Sequence, residues 1–404
     1  MNKVLYLTRN GLLEPLGQSQ IYPYLKGLSK SVKITLISFE KPSDFTDRLR
    51  LRVVREECKR MGIDWIALRY RETPRPWAPF FSITQLFIIS IYQWSKKERP
   101  DLIHSRSYVP AAVSIVLHRL TGIPFIFDMR ALWAEELITA GRILRGSLIH
   151  RLIQWIERNC LQEASAVVSL TNSGLDYLKV KYSRELLGQR VLVIPTCVDL
   201  DRFKPDTIEY NDELVIGCIG TVLSGWFCMD WLREFFNAVI RTCPMARFEL
   251  ISRDPAQEIL RILNPSRDWQ EKLVIKAAKP EDMPSIVRGH TASVMFYAGG
   301  NTSELGRSPT RMAEVLSCGR PVVASHGVGD VGEIIRKEHV GVLARGKSPI
   351  EMDNCVTELL DLLGDPKLSE RCRRTAEKYF SLCSGTSMYR KLYESILLNA
   401  ELGT

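Results

Sequence analysis

Short aliphatic and β-branched runs alternate along the chain with longer stretches of helical periodicity, the pattern of βαβ units with parallel sheets. The runs predict strands near Val4–Thr8, Lys33–Phe39, Asp64–Arg69, Leu102–Arg106, Phe125–Arg130, Ala166–Leu170 and Val191–Pro195. A second series follows near Val215–Gly220, Phe248–Ser252, Leu273–Lys276, Ala292–Tyr297, Pro321–Ser325 and Gly341–Ala344. Most are apolar throughout, as strands covered by helices on both faces must be. Between the series lies a polar stretch, Asp199 to Asp212, containing Pro205 and read as an interdomain linker. The predicted organisation is therefore a domain at 1–205, a domain at 206–385, and a terminal segment 386–404 packing back toward the first domain. Within that segment Met388 to Asn399 reads as an amphipathic helix. The fold class is α/β, with two doubly wound Rossmann-like domains expected to face a central cleft. Ligands of such sheets bind beyond the carboxyl ends of the strands.

At 404 residues the chain exceeds what one core usually supports, in agreement with two domains. Hydrophobic content of 45% and charged content of 25% exclude a mainly disordered, collagenous or coiled-coil protein. Ten cysteines form no C-x-x-C pair and six histidines no H-x-x-x-H pair, so neither zinc sites nor a disulfide framework are expected, and a reducing compartment fits. Residues 1–205 hold 31 Lys+Arg against 19 Asp+Glu (+12), whereas the remainder is −3. The basic half implies an anionic partner or simply a solubilising surface. No recognised nucleic-acid motif accompanies the charge, so nucleic acid is not an expected partner. Arg9 ends the first apolar run too early for a secretory signal. The uncharged stretch Pro76 to Ser95 has the length to span a bilayer. Its polar residues and initial prolines favour a buried or interface-facing helix instead. With the basic first half, the Trp77–Trp94 segment suggests peripheral contact with anionic lipid, on the inner face of the membrane of a cytoplasmic protein.

Several motifs lack the context their chemistry needs. Gly341 to Ser348 spells G-x-x-x-x-G-K-[ST], but Val342-Leu343-Ala344 reads as the strand itself and Pro349 follows at once. Gly327 to Gly332 spells G-x-G-x-x-G, yet it follows the fifth strand of its domain rather than the first. What it retains is a glycine-rich turn at a strand end, where amides such as that of Gly329 can hold an anion. Asp199-Leu200-Asp201 has D-x-D spacing but lies in the linker, and no metal-ligand cluster is expected.

The stretch Gly306 to Ala324 is more informative. Ser308-Pro309-Thr310 reads as a helix start, with serine as cap and proline in the first turn. Free N–H groups, the positive end of the helix dipole and Arg311 would then converge on one anion. Glu314, four residues after Thr310 and on nearly the same face, could accept from ribose hydroxyls or could salt-bridge on a surface helix.

These residues, with Val193-Ile194-Pro195-Thr196-Cys197-Val198-Asp199…Phe203…Pro205, Gly17-Gln18-Ser19-Gln20 and Asp101-Leu102-Ile103-His104, resemble the retaining family-4 glycosyltransferases of the GT-B fold along essentially the whole chain. The resemblance implies a nucleotide-sugar donor on the second domain and a glycan, lipid or polyisoprenyl-linked acceptor on the first, in cell-surface polysaccharide or glycolipid synthesis. It implies donor contacts from Glu314, Thr310, Ser308, Gly220, Thr221, Arg253 and Gly329, and catalytic roles for Arg311, Arg106 and His104. Gly17, Gln18, Arg130 and Glu135 fall on the acceptor side, although Asp128, Arg130 and Glu135 could equally form interdomain salt bridges. It implies leaving-group stabilisation without metal or other cofactor, the departing phosphate taking the acceptor's proton. The chain departs from the family in three places: Gly306 stands at the first glutamate of E-x7-E with Glu304 out of register, Thr221 to Trp226 lack the usual Arg and Lys, and Arg106 replaces a second histidine. A sugar-nucleotide epimerase or phosphorylase of the same fold, or a non-catalytic nucleotide-binding protein, are the competing expectations.

Overall fold

The computed structural model describes residues 1–70, 78–205 and 213–402. It comprises two compact units, Met1–Pro195 with Leu382–Thr404, and Thr196–Ser381. The first unit is built on seven strands: β1 (Lys3–Thr8), β2 (Lys33–Glu40), β3 (Ile63–Arg69), β4 (Leu102–Arg106), β5 (Phe125–Asp128), β6 (Ala166–Ser169) and β7 (Val191–Val193). They are parallel throughout, in the order β3-β2-β1-β4-β5-β6-β7. The second unit carries β8 (Val215–Ile219), β9 (Arg247–Ile251), β10 (Leu273–Lys276), β11 (Ala292–Met295), β12 (Val322–Ser325) and β13 (Gly341–Ala344). Their order is β10-β9-β8-β11-β12-β13, again all parallel. The strand order reverses between β1 and β4 and between β8 and β11, the places where ligands of doubly wound sheets bind. Both predicted series of strands are present. Several end one or two residues early, because residues such as Arg130, Gly220 and Tyr297 have left the ladder to form loops at the carboxyl edge.

In the second unit, apolar side chains fill both faces of the sheet. One layer holds Phe235, Phe236, Phe248 and Trp269, and the other Met312, Leu316, Val331 and Phe380. The central strands admit no extra volume at some positions. A β-carbon on Gly217 of β8 would lie 1.9 Å from Nδ1 of the buried His290, which itself faces Glu249 and Ser293. The Gly341 to Ala344 segment of the P-loop look-alike is β13. Lys347 pairs with Asp230, and the Ser348 hydroxyl caps the helix Pro349–Leu363 by accepting from Glu351 N–H.

The expected linker is revised. Unit 2 begins at Thr196, ten residues before the predicted boundary, because the chain after Pro195 is packed into that unit. The Val198 amide donates to the Phe380 carbonyl, Phe203 is buried, and Arg373 donates to the carbonyls of Leu200 and Phe203. The Asp199 carboxylate accepts from the amides of Asp201 and Arg202, so this D-x-D closes a turn. Residues 206–212 of the expected linker, and Pro76 and Trp77 of the apolar stretch, lie outside the described residues. The rest of that stretch forms the helix Ala78–Ser95, and no helix among the described residues is long and apolar enough to cross a membrane. The terminal helix runs Leu382–Leu402 and belongs to the first unit, so the C-terminal boundary falls at 382 rather than 386.

Gly217→Ala is expected to lower stability by about 1–3 kcal/mol, the usual penalty for overpacking a rigid core. Gly289→Ala, whose new β-carbon meets nothing within 4 Å, should leave the urea midpoint almost unchanged.

Candidate functional site

At the carboxyl edge of each sheet, the loop after the first strand is gripped by a carboxylate from the end of the second. In the first unit the amides of Leu12 and Leu13 donate to the two oxygens of Glu40, at 2.7 and 3.0 Å, and the Ser38 hydroxyl adds a third bond. Glu40 is fully buried, and burial pushes its pKa up against the pull of these donors. Gly17 and Gln18, expected on the acceptor side, shape this loop from behind. A β-carbon on Gly17 would sit 2.1 Å from the Gly11 carbonyl oxygen, and Gln18 Nε2 donates to the Leu12 carbonyl at 2.8 Å.

In the second unit the amides of Val222 and Leu223 both donate to Asp254 Oδ2, at 2.7 and 2.9 Å, and the Gly220 amide donates to the Ile251 carbonyl. Gly220 has φ +136°, which a side chain would disfavour. These three amides, that of the expected donor residue Gly220 among them, are therefore already occupied. Thr221 is exposed on the loop. Arg253 is also exposed, with no hydrogen-bond or ion-pair partner among the described residues. The Gly329 amide likewise departs from expectation: it donates to the Glu304 carbonyl at 2.9 Å, so the glycine turn after β12 is tied to the loop before it.

His104 and Arg106 of β4 share one face of the strand, and the terminal helix covers it with Tyr389 and Tyr393. His104 Nε2 lies 3.3 Å from Asp128 Oδ2, and Nδ1 lies 2.7 Å from the Tyr393 hydroxyl. A carboxylate can only accept, so Nε2 carries the proton and Nδ1 accepts from the tyrosine. Asp128 also faces Arg106 Nη1 at 3.5 Å and Arg130 Nη1 at 3.4 Å. Against the cost of burial, these cations and the His104 hydrogen bond hold the Asp128 carboxyl well below its usual range. Burial keeps His104 neutral by lowering its pKa, and raises Tyr6, stacked on it at 4.3 Å, to about 12. His104 is 1% and Arg106 3% exposed. The groups of both residues are turned inward on Asp128 and the tyrosines.

Glu135 is buried on the helix Trp133–Thr139 and bonded to Arg145 at 2.6 Å and the Tyr177 hydroxyl at 2.9 Å. These partners, like the Asp128 partner of Arg130, lie within the first unit.

The expected helix start in the second unit is real but differently built. The helix spans Thr310–Ser317, and its N-cap is Pro309, which offers no side-chain cap. The Ser308 hydroxyl, expected as the cap, lies 3.2 Å from the Thr196 amide and 3.0 Å from its hydroxyl, and the Ser308 carbonyl accepts from Thr196 Oγ1 at 2.8 Å. Extended backbone at Pro309 displaces the cap by one residue. Thr310 begins the first turn, half-buried, and Arg311 forms an ion pair with Glu314 on the same helix. That pair raises the Arg311 pKa despite burial.

Sequence reasoning missed the neighbour of this pair. Glu304 is fully buried and holds Arg307 through two bonds, Nε at 2.5 Å and Nη2 at 3.1 Å. The Arg307 guanidinium lies 5.3 Å from the Trp226 ring and 5.4 Å from Tyr297, in reach of both π-faces. The i,i+3 spacing was visible in the sequence. The signal that Glu304 is structural was its short distance from an arginine, not its place in E-x7-E.

Two parallel doubly wound units with polar side chains gathered at their carboxyl edges define a two-domain α/β protein of GT-B type. Sucrose-phosphate synthase from Thermosynechococcus elongatus superposes with a TM-score of 0.70 at 14% identity, covering 98% of this chain and 100% of that one. Alr3699/HepE from Anabaena, solved in complex with UDP and glucose, gives 0.66 at 14% identity over 98% and 100%. An α-D-kanosaminyltransferase from Streptomyces kanamyceticus is 22% identical over 273 residues, 65% of this chain and 67% of its own length. Residues 25–202 match the family described as Glycosyltransferase Family 4, and residues 213–362 match Glycosyl transferases group 1. The chain belongs to the family-4 glycosyltransferases of the GT-B fold.

Asp128→Asn is expected to cost about 3–5 kcal/mol, because it leaves buried Arg106 without its counter-charge. The folded pKa of Asp128 is depressed, so its contribution is complete above the ordinary value of 3.8 and is lost as pH falls below that. Urea unfolding between pH 7 and pH 3 should therefore show a steeper acid loss in the natural protein than in the variant.

Proposed function

We propose that the second unit binds a nucleotide-sugar donor with its diphosphate at the start of the Thr310–Ser317 helix, and that the enzyme transfers the sugar to a glycan- or lipid-linked acceptor. The observation that carries this reading is the Arg311–Glu314 pair at a helix start lacking a side-chain cap. One Glu314 oxygen meets Arg311, and its other oxygen has no protein partner among the described residues. On donor binding Arg311 exchanges a single carboxylate for a diphosphate of higher charge, while Glu314 accepts from the ribose hydroxyls. First-turn amides contribute about 0.3–1 kcal/mol toward the anion, and a charge-assisted hydrogen bond about 1.5–3 kcal/mol. Arg307, fixed by Glu304, supplies a second positive charge beside the aromatic rings of Trp226 and Tyr297. The Anabaena protein solved with UDP supports a uridine nucleotide as the first donor to try.

The reaction is proposed to proceed with retention. The acceptor hydroxyl oxygen bonds to the anomeric carbon on the leaving-group side, the bond to the diphosphate breaks, and the departing phosphate oxygen takes the proton. Stabilising that leaving group is then the main electrostatic task of the protein. We further propose that cations and helix amides suffice for it without a metal ion.

UDP at 100 times its dissociation constant should stabilise the full-length protein by about 2.7 kcal/mol, read as a thermal shift beside GDP and ADP. Glu314→Ala should abolish turnover with the circular dichroism spectrum unchanged, and Arg311→Ala should weaken nucleotide diphosphate binding at least about tenfold. Full activity in Glu314→Ala would defeat the assignment. Activity should persist in excess chelator, and a strict manganese requirement would count against the metal-free reading.

A further inference from the structure

The helix Leu148–Glu163 presents the wrong residues to solvent for an ordinary surface helix. His150, Ile153, Glu157, Cys160 and Leu161 form its buried side. At 100° per residue, Leu148, Leu152 and Trp155 point almost directly away from that side. They are 82%, 55% and 52% exposed, and Leu144 and Ile149 beside them are exposed as well. A soluble face would place charged residues there, with apolar ones toward the core.

Cations flank this apolar ridge on one side. Arg151 and Arg158 lie on the same turn face, and the stretch 142–158 holds four arginines against one carboxylate, the buried Glu157. Together with Gln154, Trp155, Lys181 and Tyr182, the two arginines line a cavity of about 300 Å³. Arg158 is paired with Glu185, and Lys181 with Glu135 and Glu157. Arg151 is exposed and has no partner among the described residues.

The exposed apolar character continues across the same unit. The helix Tyr108–Thr121 packs against the Leu148–Glu163 helix and exposes Leu120, and the Ala78–Ser95 helix packs on it in turn and exposes Ile88 and Tyr92.

We propose that this face of the first unit docks on an anionic lipid bilayer, with the Leu148–Glu163 helix lying in the interfacial plane. Leu148, Leu152 and Trp155 enter the boundary between headgroups and acyl chains, where tryptophan is favoured. Arg151 and the cavity beside it meet lipid phosphates. The occupant is argued from charge: apolar residues bordered by the unpaired Arg151, in a stretch with four arginines and one buried carboxylate, match a surface that is apolar inside and negative outside. A second copy of this chain would have to bring the same arginines against one another. The face is centred on the Leu148–Glu163 helix rather than on the Ala78–Ser95 segment singled out by its composition, and the proposal does not depend on the donor site.

The test is co-sedimentation of the full chain, at low salt, with vesicles of phosphatidylglycerol and phosphatidylcholine against vesicles of phosphatidylcholine alone. The natural protein is expected to sediment with the anionic vesicles only, and less so as salt rises. The double variant Leu148→Ser/Leu152→Ser and the single variant Arg151→Glu should each weaken partitioning about tenfold with unchanged urea midpoints. Trp155→Phe should remove the blue shift in tryptophan emission on vesicle addition. Absence of sedimentation, equal binding by the double variant, or a dimer that the double variant disperses without any vesicle binding would each overturn the proposal.

Discussion

Every amide that leaves a parallel strand at the carboxyl edge must find an acceptor, and this chain meets that demand twice with the same device. Glu40, at the end of β2, takes the amides of Leu12 and Leu13; Asp254, just beyond β9, takes those of Val222 and Leu223. A buried amide left without a partner costs about 1–3 kcal/mol, so each carboxylate replaces a pair of such costs with charge-assisted bonds. The loops after β1 and β8 are thereby fixed in shape, and the strand-order reversals beside them acquire rigid walls.

That solution constrains where an anionic ligand can be held. A phosphate cannot use amides already given to a carboxylate, and a negative side chain at that position repels it. The positive potential must come from elsewhere on the edge. In the second unit the remaining sources are the helix start at Thr310, Arg311, and Arg307 locked by Glu304. The absence of the family's usual Arg and Lys after β8 is then intelligible in charge terms. With Asp254 bound to that loop, the cations of the proposed donor site are Arg307 and Arg311, which follow β11 on the other side of the switch point.

The strand pattern was legible because continuous apolar runs are a direct consequence of burial on both faces, and this gave both sheets to within two residues at most ends. The helix at 310 and the identity of β13 were legible for similar local reasons. The roles of His104 and Arg106 were not. A strand motif shows which residues share a face, but the cover of that face comes from Tyr389 and Tyr393, nearly 300 residues later in the chain. Ser308 misled for a subtler reason: its sequence context is that of a cap, while the partner that claims its hydroxyl, Thr196, lies 112 residues earlier. The exposed ridge at Leu148, Leu152 and Trp155 was hidden because an amphipathic helix shows two faces in sequence and not which of them meets the core.

The Arg311–Glu314 pair explains how one helix turn can serve two chemistries. Without Glu314, Arg311 would hold a partly buried charge that lacks its carboxylate counter-ion, and desolvation would lower its pKa; with Glu314 the guanidinium stays charged. The attraction within the pair must nonetheless be weak enough to exchange. A contact between residues three apart on a helix, with the arginine side chain about one-third exposed, is screened by solvent and contributes far less than a sealed pair. A diphosphate arriving at the helix start competes against that modest interaction with a larger charge and the added pull of the helix dipole. In the proposed complex the glutamate released in the exchange is an anion in need of donors, one turn along the same helix, and the vicinal hydroxyls of a ribose would supply them. In the proposed complex the same geometry would disfavour inorganic pyrophosphate, which would free the carboxylate and offer it nothing, so that reading derives selectivity for a nucleotide over a bare phosphate from the partner that Arg311 leaves behind.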